Sequence, residues 1–405
     1  MEAGQRSLPG AALAGALALA AALAACGPRA DDLPLQVEGG VPVGAVLSLT
    51  SNANAYGQDQ QIGLELAQAW HQKRRKADSP GAPELSLRLE DGGGDEATAT
   101  QAFNLLIDAG VVALVGPTLS QQAFAADPIA QRRGVPVVAP SNTATNIPQI
   151  GGFISRVSAP STEIAPLSIA KALELNPSIR RAAVFYAQDD AYSTSESAIF
   201  QKALADKGLK PVTVQRTQLN DQDFQNQITG ALRQTPDLIV ISAQAVDGGN
   251  LIRQLRELGY KGSIVVGNGM NTPNIYPICQ AYCDGILIAQ AYSPELDTPM
   301  NREFVALYKL AKGGAIPPQL TAQAFSAYQV VAEALQRLNK RQPLSQFSLA
   351  DARKALMAEL LSGRYDTPLG EIAFSPDGEV VQQRFHVAQV QMKPGSLNGR
   401  FALLP

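Results

Sequence analysis

The sequence predicts an α/β protein of two lobes, each a parallel sheet with crossover helices. Two observations carry this: short apolar strand-like runs alternate with amphipathic helical stretches, and that alternation restarts midway along the chain. A third supports it, because the second half repeats the local order of strand, polar crest, helix, glycine turn and strand found in the first. The unit is clearest in residues 113–143, ALVGPTLSQQAFAADPIAQRRGVPVVAPSNT. Its apolar runs, 111–115 and 135–138, are rich in β-branched residues, as strands buried on both faces should be. Each run stops at polar residues. Ligands of open parallel sheets bind outside the carboxyl ends of the strands, so Ser120 and the cluster Ser141, Asn142 and Thr143 are expected to line one crevice.

Taken in order, a strand over 43–49 leads to a helix over 57–75, a strand over 85–90 and a helix over 96–109, with Asp95 as its N-cap. After the 113–143 unit, strands are predicted at 182–186, 211–216, 238–241, 264–266 and 286–289, with helices at 193–207, 223–233 and 249–258 between them. Gly134 and Gly259 hold equivalent places, where a helix ends and a left-handed residue is accommodated. Helical patterning returns at 301–312, 323–339 and 349–361. Two strands, 370–374 and 380–390, close the chain around the turn Ser375-Pro376-Asp377-Gly378. Two similar lobes with facing crests make a cleft, and no short repeat period supports a solenoid.

At 405 residues the chain is long for one core. With 45% hydrophobic residues, 17% charged residues and a net charge of -3, the composition is globular and gives no reason to expect a nucleic-acid partner. The N-terminus differs: Arg6 precedes an Ala/Leu run over 11–22 and the ending Leu23-Ala24-Ala25-Cys26. Residues 1–26 read as a signal peptide whose apolar run is too short to span a membrane. The ending resembles the lipobox of bacterial lipoproteins, which implies lipidation of Cys26 and a lipid anchor holding the protein in the periplasm or at the cell surface. Residues 27–40, with their Pro, Asp and Gly, read as a tether. Export leaves Cys279 and Cys283 as the folded-state thiols in an oxidising compartment, bridged locally or buried as two thiols.

Catalytic signatures are scarce. The two histidines, His71 at an exposed-looking helix end and His386 in a late strand, read as structural or solvated. Neither stands at metal-ligand spacing, so no metal and no cofactor is expected. Ser168-Ile169-Ala170-Lys171 lacks the companion elements of a serine nucleophile, and Asp91-Gly92-Gly93-Gly94-Asp95 lacks the ending of a phosphate loop. The chain is not expected to be an enzyme.

Three groups of motifs fall in order: Val43-Gly44 with Tyr56-Gly57 and a helix ending near Trp70; Val115-Gly116-Pro117 through Ser120, Asp127-Pro128-Ile129-Ala130 and Gly134-Val135-Pro136; and Tyr365-Asp366-Thr367-Pro368-Leu369-Gly370 with Phe374 and Asp377-Gly378. Over residues 43–391 this order resembles the extracytoplasmic solute-binding proteins of ABC transporters for branched-chain amino acids. The resemblance implies the type I periplasmic-binding-protein architecture: two Rossmann-like lobes, joined by three hinge crossings, that close on a small ligand like a clam. Lobe one would comprise residues 40–160 and 291–383, and lobe two residues 161–290 and 384–405. A monomer that hands its solute to an ABC permease is implied.

The same resemblance assigns the ligand carboxylate to Ser120, Ser141 and Thr143, and strand-end hydroxyls are indeed good anion donors. It places Tyr56 at the lip of lobe one, Tyr192 as the closing tyrosine of lobe two, and Gln244 and Asn268 on the second crest. Members that bind amino acids carry an acid opposite the ligand ammonium, since a buried charge without a partner is costly. Here that position aligns with Gly269. Asp189, Asp190 and Asp247 are the candidate substitutes. The expected solute is an amino acid or a related small polar compound. Open alternatives are an amide, a urea or an amine-free carboxylate, and an envelope lipoprotein that uses the fold to contact another protein.

Overall fold

The computed structural model describes residues 33–77 and 81–405, so residues 1–26, with Cys26, and residues 27–32 of the expected tether lie outside the described residues. The rest of that stretch is not a free tether: Leu35 is buried in the core of the first body and its N-H donates to Phe347 O at 2.9 Å. The first half builds strands β1 (Val41–Leu47), β2 (Leu85–Asp91), β3 (Ala113–Val115), β4 (Val137–Ala139) and β5 (Ile154–Arg156). They form one sheet in the order β2-β1-β3-β4-β5, parallel throughout. Helices α1 (Asn54–Ala77), α2 (Glu96–Asp108) and α3 (Ser120–Arg132) make the crossovers. The first sheet is closed over by three later helices. These are numbered α9 (Pro299–Ala311), α10 (Gln319–Arg341) and α11 (Leu349–Ser362). The ring of Phe325 there packs on Trp70 and Phe304, with centroids 5.7 and 5.0 Å away. A small antiparallel sheet of β11 (Arg364–Thr367), β12 (Gly370–Phe374) and β13 (Val380–Gln382) completes that core.

The second body contains β6 (Ala182–Ala187), β7 (Thr213–Thr217), β8 (Leu238–Ser242), β9 (Ser263–Val266) and β10 (Leu287–Gln290), mutually parallel. Two antiparallel strands, β14 (His386–Met392) and β15 (Gly399–Leu403), extend its edge. Helices α4 (Ser161–Leu175), α5 (Ala191–Asp206), α6 (Gln225–Leu232), α7 (Ala245–Glu257) and the single turn α8 (Tyr276–Cys279) flank it. The chain passes between the two bodies at residues 157–160, 291–298 and 383–385. Residues just after the carboxyl ends of β1, β3, β4, β8 and β9 line the cleft.

Several local expectations change. The stretch 380–390 is two strands in two sheets: Val380 pairs with Phe374, whereas His386 pairs with Gln290, because the chain changes bodies at 383–385. Helix α7 begins at Ala245, four residues before the expected 249. Gly248 and Gly249 are not its entry turn but its contact face: a Cβ would stand 2.4 Å from Met270 Sδ and 2.7 Å from Ile278 Cγ2. His71 is buried rather than at an exposed helix end, its Nε2 is 3.1 Å from the Pro83 carbonyl, and burial lowers its pKa. Asp95 caps α2 by accepting from Thr98 N at 2.9 Å. Cys279 and Cys283 are disulfide-bonded across Cα atoms 5.4 Å apart. Among the described residues no helix is long and apolar enough to cross a membrane, and no cluster of His, Cys, Asp and Glu is able to hold a metal.

Candidate functional site in the cleft

The crest of the first body is fixed by a continuous run of side-chain hydrogen bonds. Ser48 N donates to Thr118 Oγ1 at 2.9 Å, Thr118 Oγ1 donates to Gln60 Oε1 at 2.6 Å, and Gln60 Nε2 donates to Ser141 Oγ at 2.7 Å. Ser141 Oγ in turn donates to Thr118 O at 2.7 Å. Three strand ends and α1 are thus tied together. Gln122 adds a second tie, accepting from Leu119 N at 3.0 Å and donating to Gly92 O at 2.9 Å. Beneath the crest lies Arg156, only 1% exposed. It donates to both carboxylate oxygens of Glu379, at 2.7 and 2.6 Å, and to the carbonyls of Asn142 and Ala144, at 2.9 and 2.7 Å. Residues 142–144 are therefore held from behind by a buried cation whose charge is matched.

What this scaffold leaves facing the cleft is specific. Ser120 Oγ accepts only a long bond from Ala144 N, 3.4 Å, and among the described residues the Thr143 hydroxyl has no hydrogen-bond partner. Both line a cavity of about 40 Å³ between the two bodies, together with Tyr56, Thr118, Leu119, Ser141, Tyr192, Gln244, Asn268, Gly269 and Leu320. Of the expected ligand residues, Asn142 is the exception. Its side chain is fully buried and donates to Thr118 O at 3.2 Å, so it belongs to the scaffold and not to the cavity wall. Ser141 reaches the wall, but its hydroxyl is already engaged as both donor and acceptor.

The opposite crest is organised by an acid absent from the sequence expectation. Glu196, on α5, is buried and accepts from Tyr192 OH at 2.5 Å, Ser242 Oγ at 3.0 Å, Asn268 N at 3.0 Å and Ser161 Oγ at 3.3 Å. Burial raises its pKa against the pull of those four donors. A Cβ on Gly267 would lie 1.7 Å from Glu196 Oε2, and one on Gly269 would lie 2.6 Å from Ala243 O. The strand end carries no acid because a neighbouring helix fills its place. The carboxylate is saturated by protein donors and is not among the cavity-lining groups.

Two tyrosines span the remaining space. Tyr192 OH accepts from Gly269 N at 2.6 Å. Tyr56, from the first body, donates to Gly269 O at 2.5 Å and accepts from Ala245 N at 2.6 Å, so one hydroxyl bridges the cleft twice. Its pKa is raised, chiefly by burial, which keeps it a donor. Thr145 N to Ser195 Oγ at 2.9 Å and Gln319 Nε2 to Asn268 Oδ1 at 3.0 Å add further bridges. This is a closed arrangement.

The three candidate acids separate by environment. Asp189 accepts from Leu219 N at 2.8 Å. Asp190 caps α5 and receives Gln244 Nε2 at 3.0 Å; burial is the main cause that pushes its carboxyl up to about 6. Asp247 instead faces a larger outer chamber of about 360 Å³ that shares Tyr56, Leu119 and Gln244 with the inner cavity.

Two α/β bodies joined by three chain crossings, with polar strand ends meeting across a closed cleft, define a two-lobed solute-binding protein. A sequence model of the periplasmic binding protein family matches residues 40–396, and the chain belongs to that family. Its members are substrate-binding transport proteins, not enzymes. The chain is similar to a Leu/Ile/Val-binding protein of Rhizobium johnstonii, 22% identical over 347 residues, covering 85% of this chain and 90% of the relative. It is also similar to a leucine-, isoleucine-, valine-, threonine- and alanine-binding protein of Pseudomonas aeruginosa, 23% identical over 340 residues, covering 84% and 87%. A solved leucine-binding protein from Thermotoga maritima superposes with a TM-score of 0.76 at 26% identity, covering 90% of this chain and 98% of that one. A Rhodopseudomonas palustris solute-binding protein in complex with benzoate shares the fold, with a TM-score of 0.75 at 19% identity and coverage of 90% and 98%.

Proposed function

We propose that this protein captures a small carboxylate-bearing solute between its lobes and delivers it to an ABC permease, while a lipid on Cys26 anchors it to the membrane. The observation that supports this reading is the pair of underused hydroxyls, Ser120 and Thr143, in a cavity wall where the Thr118 and Ser141 hydroxyls are engaged by neighbouring residues. Ser120 begins α3, where backbone N-H groups and the helix dipole add to the attraction for an anion. Residues 40–160 with 291–383 act as one lobe, and 161–290 with 384–405 as the other, turning about the three crossings. Ligand binding shifts the open-to-closed equilibrium because only the closed form contacts the solute from both sides.

An ammonium directly beside the carboxylate finds no free acid among the described residues at the crest, since Glu196 is saturated. That favours related carboxylates over α-amino acids as the solute. A thermal-shift screen of amino acids, amides and organic acids tests the proposal. Stabilisation by carboxylates supports it, and a flat response across the whole panel opposes it.

A further inference from the structure

The outer chamber has a charge character that the inner cavity lacks. Its wall carries two carboxylates, Asp247 and Asp95, and no Lys, Arg or His among the described residues. Asp247 is only 4% exposed. One of its oxygens, Oδ2, accepts from Asn220 N at 3.2 Å, and Oδ1 has no hydrogen-bond partner among the described residues. Gln121 contributes a further acceptor, its Oε1, buried at the same wall and likewise without a partner. The rest is largely apolar: Ala53, Leu119, Leu219 and Val246. A chamber with unmatched acceptors, buried negative charge and aliphatic walls suits a cationic group carried on methylenes.

We propose that the outer chamber takes the ammonium of an ω-amino carboxylate, with Asp247 as its counter-charge and the methylene spacer passing between Tyr56, Leu119 and Gln244. This rests on the carboxylate reading of the inner cavity and names the solute class for it. An α-amino acid holds its two charges too close together to use both chambers. The acids around Asp247, namely Asp190, Asp221 and Asp189, reinforce the negative field. Burial and that field push the Asp247 carboxyl up to about 6, whereas the Asn220 amide pulls the other way. Binding of the ammonium is therefore expected to strengthen as pH rises through that value.

Calorimetry on the purified protein tests this with matched pairs: γ-aminobutyrate, δ-aminopentanoate and ε-aminohexanoate against butanoate, pentanoate and hexanoate, with leucine as the α-amino comparison. At least one ω-amino acid is expected to bind about tenfold tighter than its amine-free match and tighter than leucine, as a charge-assisted contact implies. Asp247→Asn should abolish that tenfold difference and its pH dependence while leaving the amine-free acid unchanged. The retained binding also shows that the variant is folded. Equal binding of amine and amine-free partners, tighter leucine binding, or an Asp247→Asn variant that keeps the preference overturns the inference but leaves the carboxylate reading standing. No binding by any carboxylate overturns both.

Discussion

Removal of one oxygen atom, in Tyr56→Phe, is expected to loosen closure without disturbing either lobe. In the closed form that hydroxyl donates to Gly269 O at 2.5 Å and accepts from Ala245 N at 2.6 Å, both in the opposite lobe. A net contribution of about 1 kcal/mol per hydrogen bond gives about 2 kcal/mol for the pair. That moves the open-to-closed equilibrium about 30-fold toward open. Because ligand affinity is reduced by whatever fraction of the protein is not closure-competent, solute affinity should fall by up to the same factor. Phe keeps the ring packed among Ala53, Leu119 and Leu320, so the global unfolding midpoint should change little. Calorimetry of the solute, with small-angle scattering of the ligand-free protein, reads both consequences. Unchanged affinity together with unchanged scattering would refute the assignment of Tyr56 as the principal clasp.

Other perturbations separate scaffold from site. Glu196→Ala leaves four buried donors without their acceptor and should destabilise the fold by about 4 kcal/mol, read from the urea midpoint, with Glu196→Gln costing less. Arg156→Met removes four donated bonds from a fully buried position and should cost about 3–5 kcal/mol, with weakened solute binding because residues 142–144 lose their support. Asp59 should give a pH signature. Burial pushes its carboxyl up to about 7, against the opposing pull of Thr272 and Lys312. A folded-state value above the unfolded one means the native state holds the proton more tightly, so stability should fall as pH rises from about 4 to above 7. Asp59→Asn should flatten that slope in thermal melts across the window, and an unaltered slope would assign it to other groups.

Much of this architecture was legible in the chain, for identifiable reasons. Buried parallel strands must be apolar on both faces, so β1, β3, β4, β6, β8, β9 and β10 announced themselves. The helix-ending glycines Gly134 and Gly259 do adopt left-handed conformations, with φ of 62° and 90°. Other elements gave weak signals. Strand β5 is three residues long and ends on Arg156, whose buried charge is explained only by Glu379, more than two hundred residues away. Helix α4 follows Pro160 and contains Pro166, which breaks its pattern. β15 needs β14 to pair with, and its residues are only partly buried.

The candidate site divides in the same way. Hydroxyls at strand ends are read directly from sequence, and Ser120 and Thr143 stand in the cavity wall. Thr118 and Gln60, which fix that wall, gave no local signal because their partners come from separate elements. Asn142 looked equivalent to its neighbours, but alternation along the crest turns it inward. The missing acid was the subtlest point. Gly269 read as a gap, and only the three-dimensional arrangement shows α5 filling the strand end, with Glu196 against Gly267 and the Tyr192 ring against Gly269. The glycines themselves were the available clue, since a strand end stripped of side chains makes room for something.

In the proposed mode of binding, Ser120 and Thr143 hold a solute carboxylate inside the closed cleft. Calorimetric titration of the wild-type protein and of the Ser120→Ala, Thr143→Val double variant, with the carboxylate that gives the largest thermal shift, tests it most directly. The wild-type protein should bind one solute per chain saturably, and the double variant should lose about 2–3 kcal/mol, roughly 30- to 150-fold in affinity. Equal affinity of the two proteins would contradict it.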